Sequence, residues 1–313
     1  MKITKSHLDE CHERIKKHIH LTPVLTSRLI DNIAGANLFF KCENFQRMGA
    51  FKMRGAVNAI LQLDEESRKK GVITHSSGNF AQALSLAAKS IGAPAYIVMP
   101  SNAPRVKINA VKEYGGNISI CPATLKDREK TTDALAKETG ATFIHPSNDN
   151  NVILGQGTAA KELLENQPDL DIIVTPVGGG GLIAGTALAA KFYGDLCTVI
   201  GGEPKEVDDA YRSLISGKIE TNSSTNTIAD GLRTNLGDIN FPIILNEVEK
   251  IIRVEEKEII DALRLIWERM KIIVEPSSAV ALAAIIKEPE TFKSKKVGII
   301  ISGGNVDLSA LPF

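Results

Sequence analysis

The sequence predicts an α/β fold: open, mostly parallel sheets covered on both faces by helices. Three observations carry this. β-Branched runs alternate with amphipathic, helix-like runs, the pattern of parallel sheets joined by crossover helices. Several of the strand-like runs end in a glycine- or serine-rich turn that opens straight into a helix. The 313 residues, 43% hydrophobic and 24% charged, suffice for a large core in two lobes.

The elements follow in order. MKITKSHLDECHERIKKHIH (1–20) is charged throughout and lacks the apolar core of a signal peptide, so it reads as a helix with a solvated face. His7, His12, His18 and His20 are spaced by five, six and two, which does not put them on one helical face as a metal site would need. GAFKMRGA (49–56) sets Lys52 in an apolar turn of chain whose only nearby charge is Arg54. Residues 71–92 read strand, turn, helix. Residues 93–100 read strand, 105–115 helix, 116–123 strand, 126–140 helix and 141–146 strand. The uncharged run 172–190 has the length of a membrane span. Pro176 and four successive glycines in its middle fit a strand, a turn and a helix instead. Residues 197–204 and 295–304 are apolar strands ending in turns. The compact block 71–148 is expected to form a small lobe closing over the site, inserted in a large lobe made of 1–70 and 149–313.

Bulk properties exclude several classes. Lys and Arg number 37, as do Asp and Glu, so the net charge is zero. No footprint for nucleic acid or an acidic membrane follows, and aromatics at 5% offer no base-stacking series. Cys11, Cys42, Cys121 and Cys197 are scattered without a CxxC, which points to free thiols in a reducing cytoplasm.

Five stretches could carry chemistry. Gly178, Gly179, Gly180 and Gly181 place free N–H groups at a helix start, an anion site best suited to phosphate. Gly179, Gly181 and Ala184 also satisfy GxGxxA with Glu203 beyond, so a nicotinamide dehydrogenase stands as an alternative. Ser76, Ser77 and Asn79 stand where a helix begins and read first as N-caps. Ser302 ends a strand before two glycines. Glu203, Glu206, Asp208 and Asp209 suit either magnesium or calcium or a helix dipole. Lys52 has the apolar setting that lowers a lysine pKa, with Arg54 close by as a second cause.

Pyridoxal phosphate needs a lysine, a phosphate cradle, a partner for its ring nitrogen and one for its ring hydroxyl. Lys52, Gly178–Gly181, Ser302 and Asn79 match those needs. AFKMRGA (50–56), SSGNFAQAL (76–84), VILGQGTAAKEL (152–163), VGGGGLIAG (177–185), IADGL (228–232) and SGGNVDL (302–308) occur in this order. Together they resemble the fold-type II, tryptophan synthase beta-like pyridoxal-phosphate enzymes, and within these the serine racemases and catabolic serine/threonine dehydratases. The resemblance covers nearly the whole chain. It implies that Lys52 forms the Schiff base and is the base on one face of the substrate Cα, with Phe51 against the cofactor ring. Asn79 would bond the ring hydroxyl, Ser302 the ring nitrogen, and the tetraglycine run the phosphate. Ser77 would be the acid/base on the opposite face, with Ser76 beside it, and Arg128 would reach the substrate carboxylate. Glu203, Asp209 and the Val207 carbonyl would hold a divalent cation.

The resemblance further implies a homodimer acting on a small amino acid, and β-elimination to a keto acid and ammonia alongside racemisation. A 3-hydroxyaspartate dehydratase and a non-catalytic sensor of the same fold are the alternatives. The chain departs from the family pattern at Phe80 (usually histidine), Ala50 (usually a hydroxyl residue) and Ser147 in HPSND, all near the expected substrate. It stops after SGGNVDLSALPF, so feedback control by isoleucine through a C-terminal domain is not expected.

Overall fold

The computed structural model describes residues 3–103 and 105–313; Met1 and Lys2 of the charged N-terminal stretch lie outside the described residues. In chain order the elements are α1 (Lys5–Ile15), β1 (Val24–Leu25), α2 (Arg28–Ala34), β2 (Asn37–Cys42), α3 (Lys52–Leu61), α4 (Glu65–Lys70), β3 (Val72–His75), α5 (Asn79–Ile91), β4 (Ala95–Pro100), α6 (Arg105–Glu113), β5 (Asn117–Cys121), α7 (Leu125–Thr139) and β6 (Thr142–Phe143). They continue with α8 (Asn150–Asn166), β7 (Ile172–Pro176), α9 (Gly181–Tyr193), β8 (Thr198–Pro204), α10 (Asp209–Ser216), α11 (Phe241–Glu247), β9 (Lys250–Val254), α12 (Glu256–Met270), α13 (Pro276–Lys287), α14 (Pro289–Phe292) and β10 (Lys296–Ile301). The fold is α/β with parallel sheets flanked by helices, as the alternation of runs predicts.

Two sheets organise the chain. Six strands run in the order β1-β2-β10-β7-β8-β9, with only β1 antiparallel. Four strands run β5-β4-β3-β6, all parallel. Every residue of β7 is buried, as parallel strands covered on both faces require. The stretch that could pass for a membrane span is β7, its turn and α9, and α9 is buried from Gly181 to Ala190. No helix among the described residues is long and apolar enough to cross a membrane.

Glycines set how three central helices meet. A Cβ at Gly155 of α8 would lie 2.5 Å from Gly55 Cα of α3, and one at Gly157 would lie 2.6 Å from Gly185 O of α9. Only glycine permits backbones so close. The contact locks α3, which begins at Lys52, and α9, which begins at the tetraglycine turn, against the two sides of α8.

The N-terminal histidines do not converge. His7 caps α1 through Thr4, His12 bonds Glu162 and His20 Nδ1 lies 3.1 Å from Phe45 O. The face of α1 carrying Leu8, Cys11 and Ile15 is buried, leaving its other side to solvent.

Candidate active site

The start of α3 is stitched to the end of β10. Ala50 bridges Gly303, and the Phe51 N–H donates to Ser302 O at 3.0 Å. This brings Ser302, 250 positions away in sequence, beside the lysine. Met48 and Gly49, both left-handed (φ 56° and 78°), turn the chain into the helix. For methionine that conformation is strained, which places a local cost next to the site.

Lys52 Nζ donates to Pro146 O at 2.7 Å. It stands 5.0 Å from the Phe51 ring centroid and 5.7 Å from that of Phe80. Burial pushes the ammonium down to about 8, opposed by the Glu275 carboxylate. Arg54 is not a cause. Its guanidinium turns into the core, bonding Glu43 at 2.7 and 2.8 Å and Glu162 at 2.7 and 2.8 Å.

Asn79 is the first residue of α5, and its Nδ2 donates to both Glu275 oxygens at 2.9 and 3.0 Å. Its Oδ1 accepts from Asn305 Nδ2 at 2.9 Å, and Asn305 also donates to Met48 O. Ser302 Oγ lies 2.9 Å from Ser278 Oγ, which in turn bonds the Gly303 carbonyl and N–H. Glu275 is buried, and that burial pushes its carboxyl up to about 7. Sequence reasoning missed it. The available signal was the one that marks Lys52: Glu275 is the sole charge in residues 272–286. Asn305 and Pro146 carry no such signal.

The tetraglycine turn joins β7 to α9, with Gly180 left-handed at φ 81°. A Cβ at Gly178 would lie 2.7 Å from Leu232 Cα, and one at Gly181 would lie 2.8 Å from Ser147 O. Asn240 Nδ2 donates to Gly179 O at 2.8 Å and to Ser147 O at 3.2 Å, tying residues 147 and 179 together. Lys52 is thus linked through Pro146 and Ser147 to the turn. A backbone cradle at the start of a thirteen-residue helix fits a phosphate, and a lysine, Asn79 and Ser302 converge near it, so the donor set fits pyridoxal phosphate.

Ser76 and Ser77 lie in the turn after β3. Neither caps α5, whose N-cap is Gly78 with no side-chain bond. Ser76 Oγ accepts from the Gly78 N–H at 3.3 Å, and Ser77 Oγ has no hydrogen-bond partner among the described residues. Arg128 sits in the first turn of α7; burial and then its charge lower the pKa of His75, while at Cys121 its charge only opposes the burial that raises that thiol. The Arg128 Nε is buried without a partner among the described residues. No hydrogen bond or ion pair among the described residues joins it to Lys52 or the tetraglycine turn.

Glu203 is the penultimate residue of β8, and its oxygens accept from the Ala210 and Tyr211 N–H groups at 3.0 and 2.8 Å. Asp209 accepts from Asn222 Nδ2 at 2.6 Å and the Leu236 N–H at 2.9 Å. Both acids are fully buried, as is Val207. Burial and the charge of Asp209 push Glu203 well above the usual carboxyl range, and burial pushes Asp209 up to about 6. Glu203, enclosed and bonded to the start of α10, is not open to a ribose hydroxyl. Among the described residues no group of three or more His, Cys, Asp or Glu side chains converges as a metal centre.

The chain belongs to the pyridoxal-phosphate dependent enzyme family, whose profile matches residues 15–303. It is 53% identical to a serine racemase of Dictyostelium discoideum, over 99% of this chain and 97% of that protein. It is 50% identical to a beta-hydroxyaspartate dehydratase of Paracoccus denitrificans, over 96% of each. The solved structure of the D. discoideum serine racemase superposes with a TM-score of 0.94, covering 98% of this chain and 99% of that one.

Proposed function

We propose that the chain converts small 3-hydroxy amino acids, racemising serine and eliminating water from serine or threonine to give a 2-keto acid and ammonia. The observation that carries this is the enclosed Lys52, its ammonium lowered to about 8 between two phenyl rings and joined through Pro146 and Ser147 to the tetraglycine turn. Pyridoxal phosphate, when bound, supplies the electron sink that acidifies the substrate Cα–H. Lys52 takes that proton on one face, and its lowered pKa makes the free amine available near neutral pH. Ser77, unpartnered, moves a proton on the other face. Ser302 offers a neutral hydroxyl held by Ser278, where a carboxylate would stabilise an added proton; a weak sink favours loss of the β-hydroxyl. Asn79 is held for the ring hydroxyl by Glu275 and Asn305.

The second reading is a 3-hydroxyaspartate dehydratase. The identity to the P. denitrificans protein supports it, as does the unpaired Arg128 Nε, a donor for a second carboxylate. Glu203, Asp209 and the Val207 carbonyl would hold magnesium or calcium, whose charge would offset the two buried acids. Residues 71–148 would act as a small lobe closing over the site in a cytoplasmic enzyme. A homodimer is supported by the exposed apolar Leu21, Phe45 and Ile273, held near one another through His20 and Asn44.

Chiral chromatography of serine beside keto-acid release tests the activity. Ser77→Ala should keep measurable dehydration of L-serine while formation and dehydration of D-serine fall steeply. Equal loss with both enantiomers would make Ser77 structural. Turnover of 3-hydroxyaspartate far above that of serine would favour the second reading.

A further inference from the structure

We infer that the Ser147 hydroxyl is a side-chain donor to the cofactor phosphate, completing the cradle that the tetraglycine backbone begins. Ser147 is only 6% exposed, yet its Oγ makes no hydrogen bond among the described residues. The hydroxyl is therefore free to donate to a ligand group at the turn. The hydroxyl is aimed at the turn: a Cβ built on Gly179 would sit 2.5 Å from Ser147 Oγ, and one on Gly181 3.2 Å from Ser147 Cβ. The glycines therefore leave open the space in which Ser147 approaches.

The position is held from both sides. Asn240 Nδ2 binds the Ser147 carbonyl and the Gly179 carbonyl together, and the Ser147 N–H donates to His145 Nδ1 at 3.2 Å. The neighbouring Pro146 carbonyl receives the Lys52 ammonium. The backbone is fixed this way while the O–H is free to turn toward a dianion, and hydrogen bonds to charged groups are about twice as strong as neutral ones. The residue is also one where this chain departs from the family pattern, so the contact is a property of this sequence.

The inference rests on reading the tetraglycine turn as the phosphate site, and one experiment separates the two. Holoenzyme is stripped and reloaded with pyridoxal phosphate or with pyridoxal, which lacks the phosphate. Both are titrated by visible absorbance, in the wild type and in Ser147→Ala. The expected result is pyridoxal phosphate binding at least tenfold weaker in the variant, with pyridoxal affinity unchanged. Inorganic phosphate should also raise the melting temperature of the stripped wild type more than that of stripped Ser147→Ala. This second readout needs no turnover. If the wild type prefers pyridoxal phosphate and Ser147→Ala shows the same preference, the hydroxyl makes no such bond and the inference is overturned. If the wild type itself does not distinguish the two compounds, the reading of the turn fails. A fall in both affinities with a lower melting temperature would make Ser147 a packing residue and would also overturn the inference.

Discussion

Beneath α3, Lys41, Glu43, Arg54 and Glu162 are buried together, and each charge faces an opposite one within 2.8 Å. At the end of β8, Glu203 and Asp209 are as deeply buried, and among the described residues their hydrogen bonds come from N–H donors with no cation in direct contact. Burial would raise Glu162, but the His12 bond and the Arg54 and Lys41 charges hold it well below the usual carboxyl range. N–H bonds, and for Asp209 the Arg212 charge, pull the second pair down, but burial outweighs them and both acids are raised. Charge is tolerated in a core when its partner is built in, and otherwise needs a proton or a cation. The balanced cluster has the marks of scaffold; the unbalanced pair carries charge that the proposed cation would offset. The same contrast separates Lys52, with no carboxylate in direct contact, from Arg54, with two.

The largest expected effect sharpens that last contrast. Lys52→Ala should abolish turnover without lowering the melting temperature, because it removes a buried charge that desolvation disfavours. Borohydride-reduced cofactor found by mass spectrometry on any other lysine would sink the assignment. Arg54→Ala strands buried Glu43 and leaves Glu162 with only Lys41 and His12, and should cost about 3–5 kcal/mol in urea unfolding. A cost below about 1 kcal/mol would show that the cluster is not the scaffold we describe.

Glu275 adds a pH test. Its carboxyl is raised from 4.5 to about 7, so the native state holds a proton that the unfolded chain has lost between those values. Stability should therefore be highest below pH 4.5 as far as this group is concerned, and its contribution, about 3 kcal/mol, should be lost as pH rises to 7. Glu275→Gln should flatten that window; an unchanged pH profile would argue against the raised carboxyl. For the acid pair, magnesium or calcium at a hundred times its Kd should add about 2.7 kcal/mol, read as a higher melting temperature. Glu203→Gln should remove the response while costing the cation-free protein less than Arg54→Ala does. No response to cation or chelator would leave Glu203 as the cap of α10 alone.

Much was legible before the fold. β7, its glycine turn and α9 were legible because a buried parallel strand leaves an apolar run and a helix start on glycines leaves a gap in side chains. Strands β1, β2 and β9 were not singled out. β1 has two residues, and β2 and β9 carry Lys41, Lys250 and Arg253, which hide their apolar alternation. The serine pair looked like a helix cap, and Gly78 takes that position instead. Arg54 was near Lys52 in sequence and so suggested an electrostatic role. On a helix, residues two apart point in different directions, and this one points into the core.

By itself the sequence determined the α/β class, the cofactor family and the stretches that meet at the site. Those depend on local periodicity and on short runs whose backbone needs, such as four glycines before a helix, can be met in few ways. Only the tertiary structure decided which residues share an environment. Glu275 reaches Asn79 across 196 positions and Lys52 reaches the Pro146 carbonyl across 94. Ser147 comes to lie against Gly179 because helix–helix contacts at Gly55, Gly155, Gly157 and Gly185 bring their segments together. The pKa values of Lys52, Glu275 and Asp209 follow from that enclosure, since desolvation is a property of what surrounds a group and not of its neighbours along the chain.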